Sequence, residues 1–488
     1  MLQKIREQSV FRHIIVIAVI LFLLAHSFAI TNLIQNGESL SVNLRDTTMS
    51  EITKGNWLRP FYYALRSSIA IPYWNGILSC IYITGFLLVF SVLFGLETIS
   101  VILLAAGIII LNPAVIAGIA AEIHAVDSSF LSLLLSAAAY GFLLSQYRLR
   151  YLLSFCCMVA AVALDFTLST VPIVMLLIIY ADRELHRVSL PKRFGISSLL
   201  IWFSAILCSM AALLILSRRY DLKLAFTYIP NRLTVFHTLQ RVWQSYIPQF
   251  NAYPHVSFVA LLFLLFCLPC CIAYQCKVSV RLLICLVFAV IVNPILSIVP
   301  LVILDRTPQY CLSYYMPWLL ICSIINLQGD WYKHHRELRV TGLLLCLVCF
   351  LGQVVFANQV YLKKALEFHS TLSIMTRVVD RLEETDGFVP GETQVAVFGN
   401  LDQSPLSVSH EGFEKLERFE AASNHVSIRN DSQSTAYIWQ IMGYPLNLVS
   451  NFEKKQIKKE LDWSSIPVFP ADGSVLWWKD TLIVRLSK

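Results

Sequence analysis

Apolar stretches recur along the first 358 residues, near 14–30, 76–95, 98–116, 128–145, 150–164, 167–181, 196–216, 256–274, 282–304, 310–327 and 340–357. A bilayer's hydrocarbon core is about 30 Å thick, and a helix rising about 1.5 Å per residue crosses it in about 20 residues. The pattern therefore predicts about eleven transmembrane helices. The stretches at 150–164 and 167–181 are shorter and separated only by Asp165 and its neighbours. They fit either two crossings or one re-entrant pair. The first stretch, Ile14 to Ile30, lacks a small-x-small cleavage site and is followed by further spans, so it reads as a retained helix rather than a signal peptide.

Beyond residue 358 the pattern changes. From Lys363 to Glu384 the apolar positions Leu366, Ile374, Val378 and Leu382 follow a helical period. Strands are predicted at Val395 to Phe398 and in a closing hairpin, Val475 to Trp478 and Leu482 to Leu486, turned by Lys479-Asp480. The expected architecture is an α-helical polytopic membrane domain, residues 1–358, followed by a small α/β domain, residues 359–488.

Basic residues set the orientation, because Lys and Arg near span ends are retained on the cytoplasmic side. With Lys4, Arg6 and Arg12 inside, eleven spans also place Arg148 and Arg150, then Arg183, Arg187, Lys192 and Arg193, then Lys277 and Arg281, then Lys333, Arg336 and Arg339 inside. The odd count puts the tail domain outside.

Composition agrees with this reading. The chain is 57% hydrophobic and 14% charged, with a mean hydropathy of +0.65, where soluble domains carry about 25% charged residues. The net charge of +7 is then mainly a topology signal, and no soluble basic face suits a nucleic-acid partner. Of the 13 Cys residues, all but Cys276 fall within predicted spans, so no disulfide framework is indicated. Cys267, Cys270 and Cys271 have a metal-like spacing but sit in an apolar span, where cysteine acts as a small hydrophobe. No metal or cofactor is expected.

Candidate chemistry lies in three predicted outer segments, 31–75, 112–129 and 217–255, because charge beside a membrane is costly without a partner or a task. The first carries Arg45, Asp46, Glu51, Lys54, Trp57, Arg59 and Arg66. It is longer than a plain connection and too aromatic for disorder, which predicts one or two amphipathic helices. In the second segment, Glu122, His124 and Asp127 precede a span expected to begin at Phe130. Asp127 suits either an N-cap of that span or a functional carboxylate. The third carries Arg218, Arg219, Arg232 and Arg241, and Arg306 follows the ninth span on the same side. Arginine forks suit a phosphate, or they snorkel to headgroups. In the tail, Lys454, Lys455, Lys458 and Lys459 fit a solvated helix face or a contact with anionic lipopolysaccharide or headgroups.

Three stretches carry a family resemblance. They are Arg45-Asp46 with Gly55-Asn56-Trp57-Leu58-Arg59-Pro60; Gly387-Phe388-Val389-Pro390-Gly391 with Val395-Ala396-Val397-Phe398-Gly399; and Phe469-Pro470 with Gly473-Ser474-Val475. Together with the inward N-terminus and the acidic first outer loop, they resemble the GT-C glycosyltransferases, and within them the bacterial and phage serotype-converting O-antigen glucosyltransferases of the Gtr type. The chain departs from that pattern at Asn56, where the family often has arginine. The resemblance implies an enzyme of the bacterial inner membrane, with its C-terminal domain periplasmic. It would take glucose from undecaprenyl-phosphate-glucose to a sugar of the lipopolysaccharide O-antigen. A lipid-glucose synthase and a glucose-lipid flippase would be its functional partners. Asp46 would be the catalytic base, with Glu51 and Asp127 as alternatives. Arg45, Lys54, Trp57, Arg59, Arg66, Glu122, His124, Arg218, Arg219, Arg232, Arg241 and Arg306 would be the substrate-binding residues. The rival classes are a lipid-linked oligosaccharide flippase or other transporter, and an O-antigen polymerase. A transporter would place more charge at mid-span and show broken, repeated helices.

Overall fold

The computed structural model describes residues 2–32, 48–66, 69, 71–96, 98–186, 188–191, 193–221, 316–319, 322, 336–401, 413, 416, 419 and 432–487. The chain is mostly helical and divides into two compact units, one including Thr47–Ile119 and Ile123–Asn358, the other including Ala120–Glu122 and Gln359–Lys488. Six helices among the described residues are long and apolar enough to cross a membrane, as a helical membrane protein requires. The spans expected at 256–274 and 282–304, and most of that at 310–327, lie outside the described residues.

In the first unit, α1 (Leu2–Thr31) packs along α4 (Pro72–Phe94) and α5 (Ile99–Ile110). Pro72 opens α4, where a missing N–H costs nothing, and Gly95 closes it in the left-handed conformation at φ 58°. One residue, Asn112, both ends α5 and starts α6 (Pro113–Leu144). Its amide nitrogen donates to the carbonyls of Ile108 and Ile109, and its amide oxygen accepts from Val115 N at 3.0 Å. α7 (Arg150–Leu164) and α8 (Val171–Leu185) flank Asp165 and are joined by a 3-10 turn at Phe166–Leu168. α9 (Phe194–Arg219) follows, showing Leu199, Phe203 and Leu207 outward, as a lipid-facing helix does.

The span expected to begin at Phe130 begins earlier. The segment 112–129 is helical rather than a loop: α6 begins at Pro113 and passes through it, broken only by the non-helical backbone of Glu122 (φ −136°, ψ 47°). Asp127 therefore lies inside the helix and cannot be the N-cap of a span that starts at Phe130.

The boundary between units falls inside α10 (Arg336–Glu383). Among its described residues the second unit contains a four-stranded sheet in the order β2-β1-β4-β3, with β1 (Gln394–Phe398), β2 (Asn447–Leu448), β3 (Val475–Trp478) and β4 (Thr481–Arg485). β1 is parallel to β2 and β4, while β3 and β4 form an antiparallel hairpin turned by Lys479 at φ 54°. Successive strand residues point to opposite faces. Val395, Val397, Leu482 and Val484 therefore meet Val378 and Leu382 of α10 and Trp439 of α11 (Ser432–Met442) on one face. Ala396, Phe398 and Ile483 meet Ile457 of α12 (Asn451–Glu460) on the other.

Candidate functional site

The described part of the first predicted outer segment forms two short helices, α2 (Thr48–Thr53) and α3 (Arg59–Arg66), joined by the Gly-Asn-Trp turn. Gly55, at φ 91°, closes α2: its N–H bonds to Ile52 O at 2.9 Å and that of Asn56 to Glu51 O at 3.0 Å. This is a Schellman motif, which requires the left-handed residue that glycine supplies. It turns the Asn56 side chain back beneath α2. There its amide donates to Glu51 Oε2 and its oxygen accepts from Phe166 N, both at 3.0 Å. Asn56 thus fastens this loop to the corner between α7 and α8.

Arg59 completes the attachment. Its guanidinium reaches Glu51 Oε2 at 3.0 Å, Asp165 Oδ2 at 3.1 Å and the Leu164 carbonyl at 3.0 Å. Leu58 N adds a bond to Ala163 O at 3.1 Å. Asp165 is in turn held by Ser129 Oγ and by Thr167 N. Lys54 lies 3.3 Å from Glu51 Oε1. Burial pushes the Glu51 carboxyl up, but the opposing pull of Arg59, Lys54 and the Asn56 amide outweighs it and holds the group down at about 2. Glu51 is thus an ionised anchor at neutral pH.

A second cluster adjoins the first. Arg66 Nε stands 2.9 Å from Asp127 Oδ2, and the same guanidinium donates to Asn75 Oδ1 and to the His124 carbonyl. Tyr62 donates to Asp127 Oδ2 at 2.8 Å. The Tyr63 ring lies under Arg66, 4.5 Å from its carbon, and its phenol is influenced by both arginines and by Glu51 and Asp127. Burial pushes the phenols of Tyr62 and Tyr63 up, so both remain neutral. Three acids, Glu51, Asp127 and Asp165, are balanced by three bases, Lys54, Arg59 and Arg66. α2, α3, α4, α6 and the α7–α8 corner are stitched together at one end of the helices.

The expected residues therefore separate into groups. Glu51, Arg59, Arg66, Asp127 and the His124 backbone are joined in the network, and both arginine forks are occupied by protein groups. Glu122 marks the break in α6. Arg218 and Arg219 are exposed at the last turn of α9, beyond Leu213 and Leu216, which pack on Ile52 and Trp57. They lie at the same end as α2. Arg45, Asp46, Arg232, Arg241 and Arg306 lie outside the described residues. Tyr62, Asn75 and Ser129 join the site without having been singled out, and Asn56 and Asp165, noted in the sequence for other reasons, join it as well. Asp165 carried a usable signal, a lone carboxylate between two apolar stretches. Among the described residues, no three His, Cys, Asp or Glu side chains gather as a metal site. No protein-family model, curated protein or solved structure matches the chain.

Proposed function

We propose that the chain is a GT-C-type glycosyltransferase that moves glucose from undecaprenyl-phosphate-glucose to the O-antigen at the periplasmic face of the inner membrane. The observation that carries the reading is the use made of the first-loop motif. Gly55, Asn56 and Arg59 are spent on building one rigid, charge-neutral platform. Asp46 stands two residues before α2 in the sequence, and the exposed Arg218 and Arg219 lie at the platform's end of the helices. A transporter would gain little from so rigid an outer loop, whereas an enzyme needs its reacting groups held.

In this reading the acceptor hydroxyl oxygen attacks the anomeric carbon of the donor. The new C–O bond forms as the bond from that carbon to the phosphate oxygen breaks, and the electron pair leaves with undecaprenyl phosphate. Asp46 takes the hydroxyl proton and faces the positive charge that develops on the sugar ring. Arg218 and Arg219 receive the phosphate, whose charge is already stable, so its departure needs no general acid. Glu51 and Asp127 act as anchors of Arg59 and Arg66 rather than as the base. The test is the purified chain in proteoliposomes with undecaprenyl-phosphate-glucose and O-antigen acceptor. Equal release of undecaprenyl phosphate and glucosylated acceptor is expected. Movement of the lipid across the bilayer without release would move the assignment to a flippase.

A further inference from the structure

The proposed transfer reaction does not use the outward face of α12. This helix starts at a capping box, in which Ser450 Oγ accepts from Glu453 N at 3.3 Å and the Glu453 carboxylate accepts from Ser450 N at 2.8 Å. Its inward face is fixed by Ile457, packed on Val449 and Ile483, and by Lys454, whose ammonium lies 5.3 Å from the centre of the Phe398 ring. On the opposite side Phe452, Lys455, Gln456 and Lys459 fall at i, i+3, i+4 and i+7 and share one exposed face, with exposed Lys458 beside it. Phe452 is 70% exposed at the head of that face. Both acids of the helix are committed elsewhere, Glu453 to the cap and Glu460 to Lys479 at 3.0 Å. The face thus presents one aromatic ring and three ammonium groups with no carboxylate among them.

A merely solvated face gains nothing from an exposed phenylalanine and usually mixes its charges. We propose that this face of α12 docks on an anionic phospholipid surface, with Phe452 in the headgroup–acyl boundary and Lys455, Lys458 and Lys459 on the lipid phosphates. Charge complementarity selects an anionic partner, and the headgroup–acyl boundary of a lipid leaflet supplies the apolar layer that takes up the Phe452 ring beside the lysines. A lysine close to an anionic leaflet strengthens binding roughly fivefold, so three give roughly a hundredfold preference over a neutral bilayer.

The test is amide hydrogen exchange on the full-length protein in phosphatidylcholine nanodiscs, with and without phosphatidylglycerol. Exchange across residues 450–461 should slow several-fold only in the anionic discs, and the effect should fade at high salt. It should also disappear in K455Q/K458Q/K459Q and weaken in F452S, while exchange in β1 and β4 stays unchanged as evidence of an intact fold. Equal exchange of the wild type in both discs overturns the proposal even if a variant fails to fold. Protection that appears only on adding lipopolysaccharide polysaccharide also overturns it, in favour of a glycan surface.

Discussion

Arg59→Met removes the cation at the centre of the platform while keeping the length of the side chain. Glu51 and Asp165 then remain buried, 2% and 5% exposed, without the group that bridged them. Removing one partner of a buried ion pair costs about 3 to 5 kcal/mol, and the Leu164 carbonyl loses a donor worth about 1 kcal/mol. Remaining contacts offset part of this. Lys54 and Asn56 still hold Glu51, and Ser129 and Thr167 still hold Asp165, so the loss should sit near the lower bound, about 3 kcal/mol. Asp165→Asn keeps the shape and leaves Arg59 paired with Glu51, which places its cost at about 2 kcal/mol, the range of one charge-assisted bond. The double variant should cost less than the sum by more than about 1 kcal/mol, since both changes break the same contact. The assay is reversible unfolding of the detergent-purified full chain, followed by fluorescence. A loss below about 1 kcal/mol for Arg59→Met, or strict additivity in the cycle, would refute the bridged platform.

Other outcomes follow from the same geometry. The Glu51 carboxyl is held at about 2 against an ordinary 4.5. Its contribution to stability is therefore complete above about 4.5 and lost as pH falls toward 2; Glu51→Gln should lack that step in an acid unfolding series, and an unchanged step would sink the assignment. Replacing Arg218 and Arg219 together by Gln should raise KM for the lipid phosphate donor at unchanged unfolding midpoint, because both side chains are exposed; an unaltered KM would remove them from the phosphate site. Reporter fusions after Lys54, Ser189 and Ser434 should read outside, inside and outside, and a cytoplasmic tail would overturn the topology.

Periodicity carried the elements well because it records burial. The apolar runs became α1, α4 and α9, and the short apolar runs at 395–398, 475–478 and 482–486 became β1, β3 and β4. β2 is only Asn447–Leu448, too short for any alternation to reveal. The start of the span was placed too late, at Phe130, because polarity was taken for exposure. Glu122, His124 and Asp127 look like a surface cluster in the sequence, yet Asp127 is buried inside a helix and neutralised by Arg66, which lies 61 positions earlier. Partners so distant leave no local pattern. The same holds for Arg59 and Asp165: each charge is visible alone, but the pairing arises only when the loop folds onto the α7–α8 corner. Asn56 was legible as a departure from a motif, while its role depended on the backbone of Phe166, which the sequence does not mark.

The central claim is transfer of a hexose to the O-antigen with Asp46 as base, and the mass of the O-antigen repeat tests it most directly. Lipopolysaccharide would be compared from cells carrying the wild-type chain, no chain, and Asp46→Asn at matched membrane abundance. The wild type should add one hexose per repeat, the cells without the chain none, and Asp46→Asn should be reduced about 10² to 10⁴-fold, the usual contribution of a general base. An identical repeat mass with and without the wild-type chain would contradict the glycosyltransferase reading; full modification by Asp46→Asn would leave the reaction standing and remove Asp46 as its base.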